Sequence, residues 1–327
     1  MRYNICTVSI YVKRKNQRKR QNCLFFEKTN KMGYLYISIA LLTNNIKGYC
    51  GKQMSRYSAK LNDTLLICFF RMLMCIGTSV IVLAITGGFF GFEITGRLIA
   101  YAAFSGVSTA TLVAAWLFAA NSSGYMMLEV FQMLGVGVTI LMSFIVYSEK
   151  ITVRDIIGFC VLVFAAYLMQ AGLKVRPTLK VFAVVLLCGL ANGLADFSQK
   201  AFIYSGLDNT TAQFQLCSYV FAAVTLIFFY TVMSIGKKKE SADSGAVAIL
   251  KKTWYFVLIM AICLYANSFF KTEAASYLSA AKLYTLNQGG TMAIGTLMSA
   301  FLFKEKLTPK SYASIVITFI GLLIINL

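Results

Sequence analysis

Seven ionisable residues stand inside apolar stretches of this chain: Lys47, Arg71, Glu129, Asp196, Lys200, Lys271 and Lys282. A charged side chain at membrane depth costs roughly 2.5–3.5 kcal/mol on insertion scales, so each needs a reason. Glu129 and Asp196 have short stems and cannot reach an interface, which makes them the stronger functional candidates. Lys200, Lys271 and Lys282 have long stems, and snorkelling explains them without any function. Lys47 is harder to explain that way. A second tier is neutral: Gln132, Asn192, Gln199, Tyr265, Asn267, Asn287 and Gln288, with Asn44, Asn45, Trp116, Gln213 and Tyr284 behind them. Groups of this kind either line a solute cavity or hydrogen-bond one helix to another.

This inventory argues against catalysis. There is no histidine, so the commonest general base and the commonest zinc ligand are both missing. The nine cysteines include no C-x-x-C pair, and seven lie in apolar runs where cysteine acts as a small hydrophobe. No metal and no cofactor is expected. Gly51-Lys52 lacks both the glycine five positions earlier and the Ser/Thr that a phosphate loop requires.

The elements that position these residues are apolar. The chain has 327 residues, 58% hydrophobic and only 13% charged, with a mean hydropathy of +0.71. Ordinary soluble domains are about a quarter charged, so a soluble enzyme, a disordered chain and a DNA-binding module are excluded. The net charge of +19 sits in the first 31 residues and between apolar runs. That pattern belongs to membrane topology rather than to a nucleic-acid surface. A spanning helix needs about 20 apolar residues. The expected fold is therefore an all-α polytopic membrane protein of ten transmembrane helices. Expected spans are 33–54, 64–87, 97–120, 123–147, 153–172, 180–204, 211–235, 252–271, 279–303 and 311–327, with one long loop around Lys237 to Lys252. Residues 1–31, with Lys13-Arg14-Lys15 and Lys19-Arg20, read as a basic tail or as an upstream extension of a protein that starts at Met32.

The two halves repeat. An offset of 156 residues lays Gln132 on Gln288, Met142 on Met298 and Ser143 on Ser299. It also lays Glu149-Lys150 on Glu305-Lys306 and Thr152 on Thr308, and it puts Gly135, Thr139 and Ser143 over Thr291, Gly295 and Ser299. Small residues at four-residue spacing let helix backbones approach closely. A weaker match at offset 148 overlays Asn44 on Asn192 and Lys52 on Lys200. The expected units are 32–172 and 173–327, five helices each. An odd number of spans forces the second copy to enter from the opposite side, giving inverted repeats suited to alternating access. Helix direction then offers two ion pairs at opposite depths, Lys47 with Glu129 and Asp196 with Lys282.

The segment from Leu286 to Leu327, with its small-residue helix, its Lys304-Glu305-Lys306-Leu307-Thr308 loop and Gly321 in the final helix, resembles the end of an EamA-type repeat of the drug/metabolite transporter superfamily. Ser148-Glu149-Lys150-Ile151-Thr152 and Gly158 carry the same signature in the first half. The resemblance covers about 33–327. It departs at the fourth and ninth helices, where the family often has proline and this chain has Gly135 and Gly289-Gly290. It implies a ten-helix carrier of small metabolites, with a cavity lined mainly by helices 1, 3, 4, 6, 8 and 9.

The expected function is secondary transport of a small metabolite or drug-like solute, not enzymatic catalysis. The alternatives are a membrane-embedded enzyme, or a channel or sensor of the same topology. The expected partners are a small-molecule solute and the lipid bilayer, with no nucleic acid, in a monomer or homodimer. The expected location is a bacterial plasma membrane. Loops after the odd-numbered helices hold 14 basic residues and loops after the even-numbered ones hold 3, which puts both termini of a chain starting at Met32 outside.

Overall fold

The computed structural model describes residues 31–55, 57, 61–89, 91–122, 125–171, 178–235, 242–303 and 308–326. Ten helices run through them: α1 (31–55), α2 (Leu61–Thr86), α3 (Gly96–Ser122), α4 (Tyr125–Tyr147), α5 (Val153–Ala171), α6 (Leu179–Tyr204), α7 (Thr211–Ser234), α8 (Ala242–Ala274), α9 (Ala280–Phe303) and α10 (Pro309–Asn326). No strand occurs among the described residues. The basic stretch 1–30 and residues 304–307 of the second Glu-Lys loop lie outside them.

Among the described residues, six helices are long and apolar enough to cross a membrane: α2, α3, α6, α7, α10 and the Ile249–Ala274 part of α8. Polar residues hold others back. Asn44, Asn45 and Lys47 interrupt α1, Glu129 and Gln132 interrupt α4, and Lys282, Asn287 and Gln288 interrupt α9. The lipid-facing side chains are large and apolar, among them Ile81, Ile85, Phe144, Phe164, Phe228 and Leu323. The helices match the expected spans within a few residues, with one exception. α8 starts at Ala242, inside what the sequence suggested was a long loop. An apolar run marks only the part of a helix suited to hydrocarbon, whereas the first turn of α8 holds Asp243 and Ser244, residues that suit a helix N-terminus rather than a membrane core.

The heaviest packing joins early helices to late ones. α5 packs on α10, α2 on α7 and α8, α3 on α6 and α7, and α4 on α6 and α9. Close crossings are made by glycines. A side chain on Gly135 of α4 would overlap the Gly189 carbonyl oxygen of α6, and one on Gly193 would overlap the Gly135 carbonyl. Thr139 Oγ1 donates to the Gly193 carbonyl at 2.9 Å and completes this contact. At the α5–α10 crossing, a Cβ on Gly158 would meet Ile325 and the Gly321 carbonyl, and one on Gly321 would meet Leu162 and the Gly158 carbonyl. Each glycine thus faces the other and the residue four positions after it. α1 joins the later helices through Asn44 Nδ2 to Thr291 Oγ1 (2.9 Å) and through Asn267 Nδ2 to the Ala40 carbonyl (2.7 Å).

The connections after α2, α4, α6 and α8 meet at one end of the bundle. Gln213 Nε2 donates to the Gly88 carbonyl at 2.7 Å, and Asn209 Nδ2 donates to the Glu93 carbonyl at 3.0 Å. α4 ends where Ser148 takes a left-handed φ of 51°. Thr152 then starts α5 as a capping box with Asp155: the Thr152 amide and hydroxyl both donate to Asp155 Oδ2, at 2.8 and 2.7 Å, and the Asp155 amide donates back to Thr152 Oγ1. Thr308 does the corresponding work at α10, accepting from the Ser311 amide at 3.3 Å. The repeated threonine is a helix cap in both places.

Candidate functional site

A cavity lies among the helices. The α1 residues Asn44, Lys47 and Gly48 line it, with Arg71 of α2, and Thr109, Leu112, Val113 and Trp116 of α3. Gln132 of α4 faces Asn192, Ala195, Asp196 and Gln199 of α6. Met260, Leu264, Asn267, Ser268 and Lys271 of α8, with Asn287 and Gln288 of α9, complete the wall. The empty space is about 720 Å³, counting the part that opens to solvent. Several wall atoms are buried and unsatisfied: Asn192 Nδ2, Gln199 Oε1, Asn287 Oδ1 and Arg71 Nε have no hydrogen-bond partner. Buried polar groups are nearly always paired, so a polar wall of this kind calls for water or a polar solute.

The central acid is Asp196, 2% exposed. It stands about 12 Å from the α6 C-terminus at 1.5 Å per residue, well below an interface. Its partner is Lys271, whose Nζ donates to Asp196 Oδ1. The sequence reading offered Lys282 instead, and helix direction explains the difference. Side chains tilt toward the N-terminus of their own helix. Lys271 is near the end of α8, so its long stem tilts back into the bundle, where it is 6% exposed. Lys282 is in the first turn of α9, so its stem tilts out of the bundle; it is half-buried and takes no part in the cavity wall. Snorkelling suits Lys282 and fails for Lys271. Tyr284, fully buried, donates its hydroxyl to the Asp196 backbone carbonyl at 2.7 Å and fixes that turn of α6.

A second ionic group closes the bundle end beyond this pair. Lys200 is 1% exposed. Its Nζ meets Glu149 Oε1 at 3.0 Å and donates to the carbonyls of Ala275 (3.0 Å) and Leu278 (2.7 Å) in the α8–α9 connection. Glu149 also accepts from the Tyr204 hydroxyl at 2.7 Å and from the Ala280 amide at the start of α9 at 3.0 Å. Burial pushes the Glu149 carboxyl up, but the Lys200 charge, the Ala280 amide and the Tyr204 hydroxyl outweigh it and hold the group below its ordinary value. One lysine and one glutamate thus tie the α4–α5 loop, the end of α6 and the α8–α9 loop together. The motif glutamate is a fastening point, and Lys200 is not a snorkelling residue.

Of the site residues read from sequence, Lys47, Gln132, Asn192, Asp196, Gln199, Asn267, Asn287 and Gln288 come together around the cavity. Tyr265 is buried behind the wall, its hydroxyl without a partner. Lys282 stands apart. Glu129 belongs to α4, but its side chain is outside the described residues, so its pairing with Lys47 is too. Lys47 is close enough to act electrostatically on Asp196. Arg71 and Lys271 also line the site; the sequence reading named both as ionisable candidates but did not place them in it. Their signal was present, since each is a cation within an apolar run.

No family model and no curated protein matches this chain. Solved structures do. One, described as "Crystal structure of protein", superposes with a TM-score of 0.60 over 91% of this chain and 95% of that one, at 10% identity. At that identity the likeness concerns the fold alone, an all-helical chain of comparable length.

Proposed function

We propose that this chain is a secondary carrier that moves a small polar solute by alternating access. The observation that carries this reading is the cavity, whose wall is drawn from α1–α4 on one side and from α6, α8 and α9 on the other. Ligand sites between two packed halves suit a rocking motion, because small rotations of one half open one mouth and close the other.

The packing supports the inverted-repeat reading. If α1–α5 correspond to α6–α10, then α5–α10, α2–α7 and α4–α9 are contacts of an element with its own counterpart, and α3–α7 corresponds to α2–α8. The reciprocal Gly158–Gly321 crossing is what a two-fold axis produces. The Glu149–Lys200 fastening then serves as a closed gate at the end where the even-numbered connections meet. The EamA-type resemblance of Glu149-Lys150-Ile151-Thr152 and of the last two helices fits this reading. It also favours a bacterial plasma membrane as the location.

The experiment is counterflow in proteoliposomes. Solutes that raise the apparent stability of the purified protein by mass action are identified first. A labelled binder outside should then accumulate transiently in vesicles preloaded with the unlabelled one. A channel gives no trans-stimulation, and a sensor gives no flux.

A further inference from the structure

Arg71 is a buried cation that pairs with no carboxylate among the described residues. It sits about 15 Å along α2 from Leu61 at 1.5 Å per residue, is 3% exposed, and lines the cavity. Its Nε has no hydrogen-bond partner, and no ion pair joins it to a carboxylate among the described residues. Asp196 does not serve, because its electrostatic partners are Lys271 and Lys47. The titratable groups that feel Arg71 are the thiols Cys50, Cys68, Cys75 and Cys263, which are neutral hydrophobes in such surroundings, and the buried phenol of Tyr219. A lysine in this position could shed its proton, but a guanidinium cannot. A permanent charge left unpaired in a low-dielectric wall is costly, and a group of opposite charge that enters the cavity removes that cost.

We infer that the cavity takes a small polar solute bearing an oxyanion, a carboxylate or a phosphate, seated on the Arg71 guanidinium. This deepens the carrier reading and rests on the cavity being the solute site. The guanidinium fork matches either oxyanion with two parallel hydrogen bonds. The unsatisfied amides of Asn192, Gln199 and Asn287 are donors and acceptors for the polar remainder of the molecule. The Asp196–Lys271 pair is internally neutral and adds no net charge to the wall. Trp116 shares the wall and reports on it.

The test uses the full chain in an uncharged detergent, with Trp254→Phe so that Trp116 is the remaining tryptophan. Its emission is titrated with matched pairs: succinate against succinamide, glycerol 3-phosphate against glycerol, and inorganic phosphate alone. The oxyanion of at least one pair is expected to respond saturably, its neutral counterpart not, and the pair that responds separates carboxylate from phosphate. Arg71→Gln should weaken that affinity about ten- to a hundredfold, as the loss of charge-assisted hydrogen bonds implies, and Arg71→Lys should keep part of it. Should Arg71→Gln fail to fold, phenylglyoxal labelling of the wild type gives the same answer: the peptide bearing Arg71 should be protected by the responding oxyanion. No response to any oxyanion, an equal response to the neutral counterparts, unchanged affinity in Arg71→Gln, or unprotected Arg71 overturns the assignment. Oxyanion binding without counterflow would count against the carrier reading and leave this one standing. Counterflow of a neutral or cationic solute, undiminished in Arg71→Gln, would do the reverse.

Discussion

Asp196 of α6 and Lys271 of α8 form an ion pair in the cavity wall, with neither residue more than 6% exposed. Removing one partner strands the other charge. Asp196→Asn is expected to destabilise the protein by about 3–5 kcal/mol, as for other broken buried pairs. The double variant Asp196→Asn with Lys271→Gln should recover much of that loss, because no bare charge remains. Lys282→Gln should be nearly silent. Apparent melting temperatures of the purified variants in detergent check all three, and equal losses in the single and double variants would contradict the pairing.

The glycines divide into two groups. Gly135→Val drives a side chain into the Gly189 carbonyl and is expected to abolish the α4–α6 contact, with loss of folded protein. Gly77, in α2, has open space around its Cα, so Gly77→Ala should be neutral or stabilise by about 0.5–1 kcal/mol through helix propensity. Yields and melting temperatures of the two variants, measured side by side, test the packing.

The Glu149–Lys200 fastening carries a pH signature. A carboxyl held below its ordinary value stabilises the fold fully above that ordinary value, near pH 4.5. The contribution is lost as pH falls through the lowered folded-state value. Glu149→Gln should therefore cost about 1–3 kcal/mol at neutral pH, and the gap to wild type should close only in strong acid. Melting curves across acidic and neutral pH decide it. A gap already closed at pH 6 would mean that the carboxylate does not hold the loops.

Much of this arrangement was legible beforehand. Apolar runs gave the helices, and the 156-residue offset singled out Gln132 with Gln288, which now stand in one cavity wall. The Glu-Lys-x-Thr loop was recognised as a signature, although its physical meaning, a helix cap at Thr152 and a fastening at Glu149, needs the third dimension. Other features were not legible. The choice of Lys271 over Lys282 for Asp196 depends on which way a stem tilts on helices of opposite direction. Lys200 looked like an interfacial lysine until the Ala275 and Leu278 carbonyls appeared beside it. Arg71 stood among the ionisable candidates, but nothing in the sequence reveals that it lines the cavity or that no carboxylate pairs with it among the described residues.

Membrane orientation remains a charge argument, and it has a direct test. Between the helices as described, the connections after odd-numbered helices hold nine basic residues, Arg56, Lys60, Lys174, Arg176, Lys237, Lys238, Lys239, Lys304 and Lys306, against Lys150 alone after even-numbered ones, so a chain starting at Met32 is expected to place the Glu149–Lys200 end outside, together with its C-terminus. A reporter active only in the cytoplasm, fused after Leu327 of that form, should give no signal, and a strong signal reverses the assignment.

Alternating access requires the Glu149–Lys200 end to open. In a cysteine-replaced background, Lys150→Cys and Ser276→Cys, two residues lining the same recess at that end, are joined by a short cleavable cross-linker. Counterflow by the reconstituted protein is then measured before linking, after linking and after cleavage. The carrier account predicts that linking stops exchange while leaving solute binding from the opposite side intact, and that cleavage restores it. Exchange at an undiminished rate in the linked protein would contradict it.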